Sequence, residues 1–114
     1  MIDSYRFGRM VIDGIPYTSD LIILPGYVHS NWQRKQGHNL CIEDVEGLID
    51  CSLLNHLVVG TGKFGRMRIG EEFLTHMKEN GVSVHSLPTA KAADLYNSLL
   101  QNSTGFGGAF HLTC

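Results

Sequence analysis

The sequence predicts a single α/β domain built on a mixed β-sheet, and three observations predict it. Residues 21–24 and 53–59 are short apolar runs bounded by turn-forming residues, the pattern of strands covered on both faces. Phe73, Leu74 and Met77, and then Ala92, Leu95, Tyr96 and Leu99, recur at the spacing of one helical face. From residue 53 onward these segments alternate as strand, helix, strand, helix, strand, which reads as a right-handed β-α-β crossover with one more strand appended. At 114 residues with 43% hydrophobic content, residues 1–114 suffice for one core and leave no room for a second.

The elements follow in order. Residues 4–12 alternate around Phe7 and an apolar stretch ending at Ile12; Asp13-Gly14 then supplies a tight turn into Ile15-Pro16-Tyr17, so two antiparallel strands open the chain. The strand at 21–24 stops at Pro25-Gly26. Residues 26–39 are polar, basic and aromatic without a sustained period, with room for a short strand at 28–33. Ile42, Val45, Leu48 and Ile49, preceded by Glu43 and Asp44 near the helix start, predict a short helix over 42–50. The strand at 53–59 runs into a glycine loop reaching about residue 68. A helix over 70–80 opens with Glu71-Glu72 and closes at Asn80-Gly81. Residues 82–87 alternate as a strand, Pro88 breaks it, and Thr89 stands where it can cap a helix ending near 102–105. Residues 106–112 form a last strand.

Composition excludes several functions. Nine Lys+Arg against eleven Asp+Glu give a net charge of -2, without the basic excess of a nucleic-acid binder. Charged residues through the first twenty positions argue against a secretory leader, and no run approaches the roughly 20 apolar residues of a membrane span. Cys41, Cys51 and Cys114 form no C-x-x-C pair and read as reduced thiols. The expectation is a cytoplasmic protein with no membrane or nucleic-acid partner.

The one explicit cofactor motif is the G-x-G-x-x-G from Gly60 to Gly65. Dinucleotide binding needs a helix starting inside the motif and an acid closing the next strand. Here the helical period starts near Ile69, and residues 81–89 hold no Asp or Glu. The loop therefore reads as a turn at a strand's carboxyl end, and no cofactor is expected. Thr61, Gly62, Arg66 and Thr89 nonetheless form a candidate ligand-binding or anion-binding rim. Six scattered histidines show no metal-ligand spacing, no catalytic triad or paired acid is legible, and no local group activates a thiol. Trp32, Arg34, Lys35 and His38 put an aromatic and cations in one loop, a candidate partner surface whose bland reading is a Trp anchoring the loop to the core. Asn97, mid-helix, reads as a side chain tied to a neighbouring loop.

Three segments together resemble a known family: Val58-Val59-Gly60-Thr61-Gly62; Thr89-x-x-Ala92 followed by Tyr96-Asn97-x-Leu99; and the tail from Gly107 to Cys114. They look like the small domain shared by the adipogenesis-associated protein and the mitochondrial complex I assembly factor of the same fold, with uncharacterised archaeal and bacterial members. The resemblance implies three layers: a central mixed sheet, flanking helices and an additional small antiparallel β layer. It implies no catalytic residues and, from its eukaryotic members, a role in assembly or regulation through a protein partner. A second copy of the chain is a further candidate partner. The stretch 84–88 departs from the family pattern, lacking its acid and adding Pro88. The expectation is a non-enzymatic protein acting through protein contacts; the alternative is a small-ligand or anion-binding protein, or an enzyme, using the Gly60 to Gly65 turn.

Overall fold

A computed structural model describes all residues 1–114. Its centre is a five-stranded sheet of β4 (Leu21–Leu24), β5 (Tyr27–His29), β7 (His56–Thr61), β9 (Ser83–Leu87) and β10 (Phe106–His111), in the order β5-β4-β10-β7-β9. β10 runs parallel to β7 and antiparallel to β4, and β7 runs parallel to β9, so the sheet is mixed. The last strand inserts between the two apolar strands of the chain and makes both of them interior strands of the sheet.

One face of this sheet carries Ile22, Leu24, Leu57, Val59 and Ala109 against Phe73 and Met77 of α1 (Glu71–Glu79), with Trp32, Leu40 and Val45 completing that core. The other carries Leu21, Ile23, Val58, Phe106 and Phe110 against Ala92 and Tyr96 of α2 (Thr89–Asn102). On this second side lies the additional antiparallel layer, β1 (Ile2–Arg6), β2 (Arg9–Ile12) and β3 (Ile15–Tyr17), which contributes Ile2, Met10 and Ile12 to the core. Asn97 ties the two elements together: its Nδ2 donates to the carbonyl of Ile2 and its Oδ1 accepts from the Ile2 amide. The predicted side-chain tie is present, to a strand rather than a loop.

The opening segment holds three strands instead of two, because Gly8, at φ +77°, turns the chain between β1 and β2. The helix expected over 42–50 is replaced by a 3-10 turn at Ile42–Asp44 and a second at Cys51–Leu53. Asp44 caps the start of the first turn, its carboxylate accepting from the amides of Cys41 and Lys35. Gly47, at φ +75°, ends it before an α-helix forms. The following strand consequently begins at His56 instead of residue 53. In place of a strand at 28–33 the chain forms β5 and, later, β6 (Asn39–Leu40), which pairs with β8 (Arg68–Ile69) in a small parallel ladder absent from the sequence reading. Thr89 does not cap α2; Pro88 holds that position and the Thr89 hydroxyl is used elsewhere. No helix is long and apolar enough to cross a membrane.

Candidate functional site

The register brings the carboxyl ends of β7, β9 and β10 to one rim, with the residue before β4 beside them. Asp20, Arg34 and His111, far apart in sequence, meet there. Asp20 Oδ2 accepts from Arg34 Nη2 at 2.8 Å and from His111 Nδ1 at 2.8 Å, while Oδ1 accepts from the Leu112 amide at 2.8 Å. A carboxylate only accepts, so His111 carries its hydrogen on Nδ1. The 3.0 Å approach of Arg34 Nη2 to that same nitrogen is then a meeting of two donors held by their common acceptor. Burial alone would raise the Asp20 carboxyl, but the hydrogen bonds from His111, Leu112 and Arg34 outweigh it and hold the group below its ordinary value.

Arg34 is committed inward. Its side chain is only 3% exposed, it donates to the Gly37 carbonyl, and its guanidinium lies 4.7 Å from the Trp32 ring centroid. Trp32 is itself buried, its Nε1 donating to the Asp44 carbonyl and its amide to the Asp20 carbonyl. Placing Trp32 and Arg34 on a partner surface is therefore corrected: the indole and the guanidinium find their partners folded under the loop. Lys35 and His38 do remain exposed, Lys35 near Glu43 and His38 with its ring edge-on to His111 at 5.7 Å.

The glycine turn abuts the same cluster. The Gly62 amide donates to Thr89 Oγ1 at 2.9 Å, and that hydroxyl donates to the His111 carbonyl at 2.6 Å. Thr61 Oγ1 donates to the Leu87 carbonyl at 3.0 Å. Gly62 has φ +98°, and a Cβ there would stand 2.8 Å from both His111 Cδ2 and the Thr113 carbonyl, so glycine is required twice over. Three of the four rim residues chosen from sequence thus sit together but spend their polar groups within the fold, on one another and on the Leu87 and His111 carbonyls. Arg66 makes none of these bonds and is exposed over the Phe64 ring at 5.5 Å. Two atoms of the cluster lack a partner despite full burial, Arg34 Nη1 and His111 Nε2. Sequence reading named Arg34 for another role and missed Asp20 and His111. The only signal was their type, since they are 91 residues apart.

At the opposite end of the sheet lies an open apolar surface. A cavity of about 550 Å³ is walled by residues including Ile23, Leu24, Tyr96, Leu100, Phe106 and Tyr27. Tyr27, 56% exposed, also walls a small apolar hollow with Leu48, Leu53 and Leu54, and a cavity of about 630 Å³ with Ile49, His76 and Asn80. Leu53 (60%) and Leu100 (43%) are exposed beside it.

Comparison with known proteins supports the fold throughout. A family model described as "Protein of unknown function (DUF498/DUF598)" matches residues 2–111. The conserved hypothetical protein PH1505 from Pyrococcus horikoshii is 26% identical with a TM-score of 0.80, over 100% of this chain and 99% of that one. A protein called MT938 is 25% identical with a TM-score of 0.80, over 100% and 98%. A Bordetella pertussis protein described as a Mth938-like domain matches at 19% identity and TM-score 0.68, over 98% of this chain and 85% of its own.

Proposed function

We propose that this chain, which belongs to the DUF498/DUF598 family of proteins of unknown function, acts without a reaction of its own, by docking an apolar segment of a protein partner around Tyr27. The observation that carries this reading is the position of Tyr27, an exposed aromatic that forms a wall of three adjoining hollows. Binding energy at protein interfaces concentrates on aromatic anchors in recessed apolar surroundings. Clustered exposed apolar residues are costly to leave in water unless something covers them. The free cysteines suit a reducing compartment such as the cytoplasm. The test places a photo-crosslinking phenylalanine analogue at position 27 and, as a control, at Phe64, exposed at the other rim. One discrete adduct from position 27, competed away by unlabelled protein and lost with Leu53→Asp, supports the reading. No adduct, or the same adducts from position 64, overturns it.

A second reading, a small-oxyanion site at the glycine rim, is favoured by the unpartnered Arg34 Nη1. A buried donor without a partner costs about 1–3 kcal/mol, more when charged, and an oxyanion would satisfy the guanidinium. Thermal-shift titration with inorganic phosphate and acetate tests it: saturable stabilisation absent from Arg34→Met supports it, and no shift at millimolar ligand refutes it.

A further inference from the structure

We propose that His56 and His85 form an open, two-imidazole chelate for a divalent transition-metal ion. His56 begins β7 and His85 lies in β9, 29 residues later; the parallel pairing of these strands sets their rings side by side. His56 Nδ1 and His85 Nε2 are 3.1 Å apart, whereas the ring centroids are 5.3 Å apart and the planes inclined by 36°. The rings therefore converge on that nitrogen pair instead of stacking.

The spacing fits a shared ion as well as it fits the hydrogen bond. With metal–nitrogen bonds of about 2.0–2.1 Å, two ligating nitrogens stand about 2.9 Å apart at a right angle and about 3.3 Å apart at the tetrahedral angle. The observed 3.1 Å lies between the two. Without metal, one of these nitrogens carries a hydrogen and donates it to the other, since two facing lone pairs would repel. Coordination replaces that hydrogen bond: the ring proton moves through solvent to the outward nitrogen of the same imidazole, both rings turn so that their lone pairs point to one side of the nitrogen–nitrogen line where the ion sits, and nothing is oxidised or reduced.

Neutral imidazole suits zinc, copper and nickel over magnesium or calcium. Both ligands ride on paired strands, so little reorganisation opposes binding. β9 is an edge strand and both histidines are half-buried, so the pair is open to solvent. No third His, Cys, Asp or Glu joins them. The remaining coordination positions therefore belong to water or an exogenous ligand, unlike the closed four-ligand sites that staple a fold. This assignment is independent of the Tyr27 surface.

The experiment titrates zinc chloride into histidine-15N-labelled protein and follows the ring nitrogens by NMR. The expected result is that His56 Nδ1 and His85 Nε2 shift together and saturate at one equivalent, while the other four histidines stay put. His85→Gln should weaken this zinc binding by more than the roughly 10–100-fold that loss of a supporting group behind a metal ligand costs. His76→Gln, on the exposed side of α1, should leave it unchanged. Both ring signals unmoved at excess zinc, saturation on thiols or other histidines alone, or undiminished affinity in His85→Gln would overturn the proposal. Should His85→Gln not fold, His56→Asn and the wild-type ring shifts decide the same question.

Discussion

Replacing Asp20 with Ala tests whether the Asp20, Arg34 and His111 cluster holds the irregular loop to the sheet. The change deletes an acceptor of three hydrogen bonds and leaves the Arg34 guanidinium, 3% exposed, without a counter-charge. Breaking a buried pair from one side costs about 3–5 kcal/mol. The Asp20 side chain is 16% exposed, so water reaches the gap and the lower end, about 3 kcal/mol, is expected. Against the roughly 5–15 kcal/mol that stabilises a domain, that is a large fraction and corresponds to a fall in Tm of about 10 °C. The assay is urea unfolding followed by the fluorescence of Trp32, the single tryptophan, with the slope required to stay constant. The double variant Asp20→Ala, Arg34→Met removes the stranded charge while keeping an apolar stem against Trp32, and should recover about 1 kcal/mol or more relative to the single variant. A loss below about 1 kcal/mol in Asp20→Ala, or a double variant that falls by the sum of its singles, would refute the reasoning.

Acid sensitivity follows from the same group: its native pKa lies below the ordinary 3.8, so Asp20 adds stability above about pH 4 and loses it as pH falls through the native value. Tm measured against pH should therefore drop less steeply on the acid side in Asp20→Asn than in the natural protein, where Asp44, also lowered, contributes the remainder. Gly62→Ala should cost about 1–3 kcal/mol in chemical denaturation, since it combines a left-handed φ with a clash at His111; Gly26→Ala, left-handed but in open space, should cost less. Burial, with the hydrogen bonds and charges of Asp44 and Glu43, pushes the Cys41 thiol up to about 11, so its alkylation at pH 8 followed by mass spectrometry should be slow and should accelerate in Asp44→Asn.

Much of the fold was legible because it is written in short-range periods. The apolar faces of α1 and α2 recur every three to four residues, and residues 21–24 and 57–59 leave no polar side for water. The reading of the glycine turn was also local: the helix that follows Gly65 in the chain begins only at Glu71, and the helix end that meets the turn belongs to α2, whose Thr89 amide donates to the Gly62 carbonyl. The 42–50 segment failed for the complementary reason. Its helical spacing was real, but Trp32 donates to the Asp44 carbonyl from twelve residues away, and Gly47 takes a left-handed turn that apolar spacing does not register.

The candidate sites were legible only in part. Thr61, Gly62 and Thr89 were grouped correctly in space from the rule that sheet ends collect functional groups, but whether their polar atoms were free depended on neighbours contributed by β9 and β10. The sequence by itself determined a mixed α/β sheet and the helices α1 and α2, because those depend on hydrophobic period and turn chemistry within a few residues. Only the tertiary structure decided that Trp32 and Arg34 point inward, that Asp20 meets His111, that His56 faces His85 and that Tyr27 stands over three hollows. Each of these depends on strand register and order, set by the burial of the whole core, and a shift of one residue in pairing would reverse the face on which every one of those strand side chains lies.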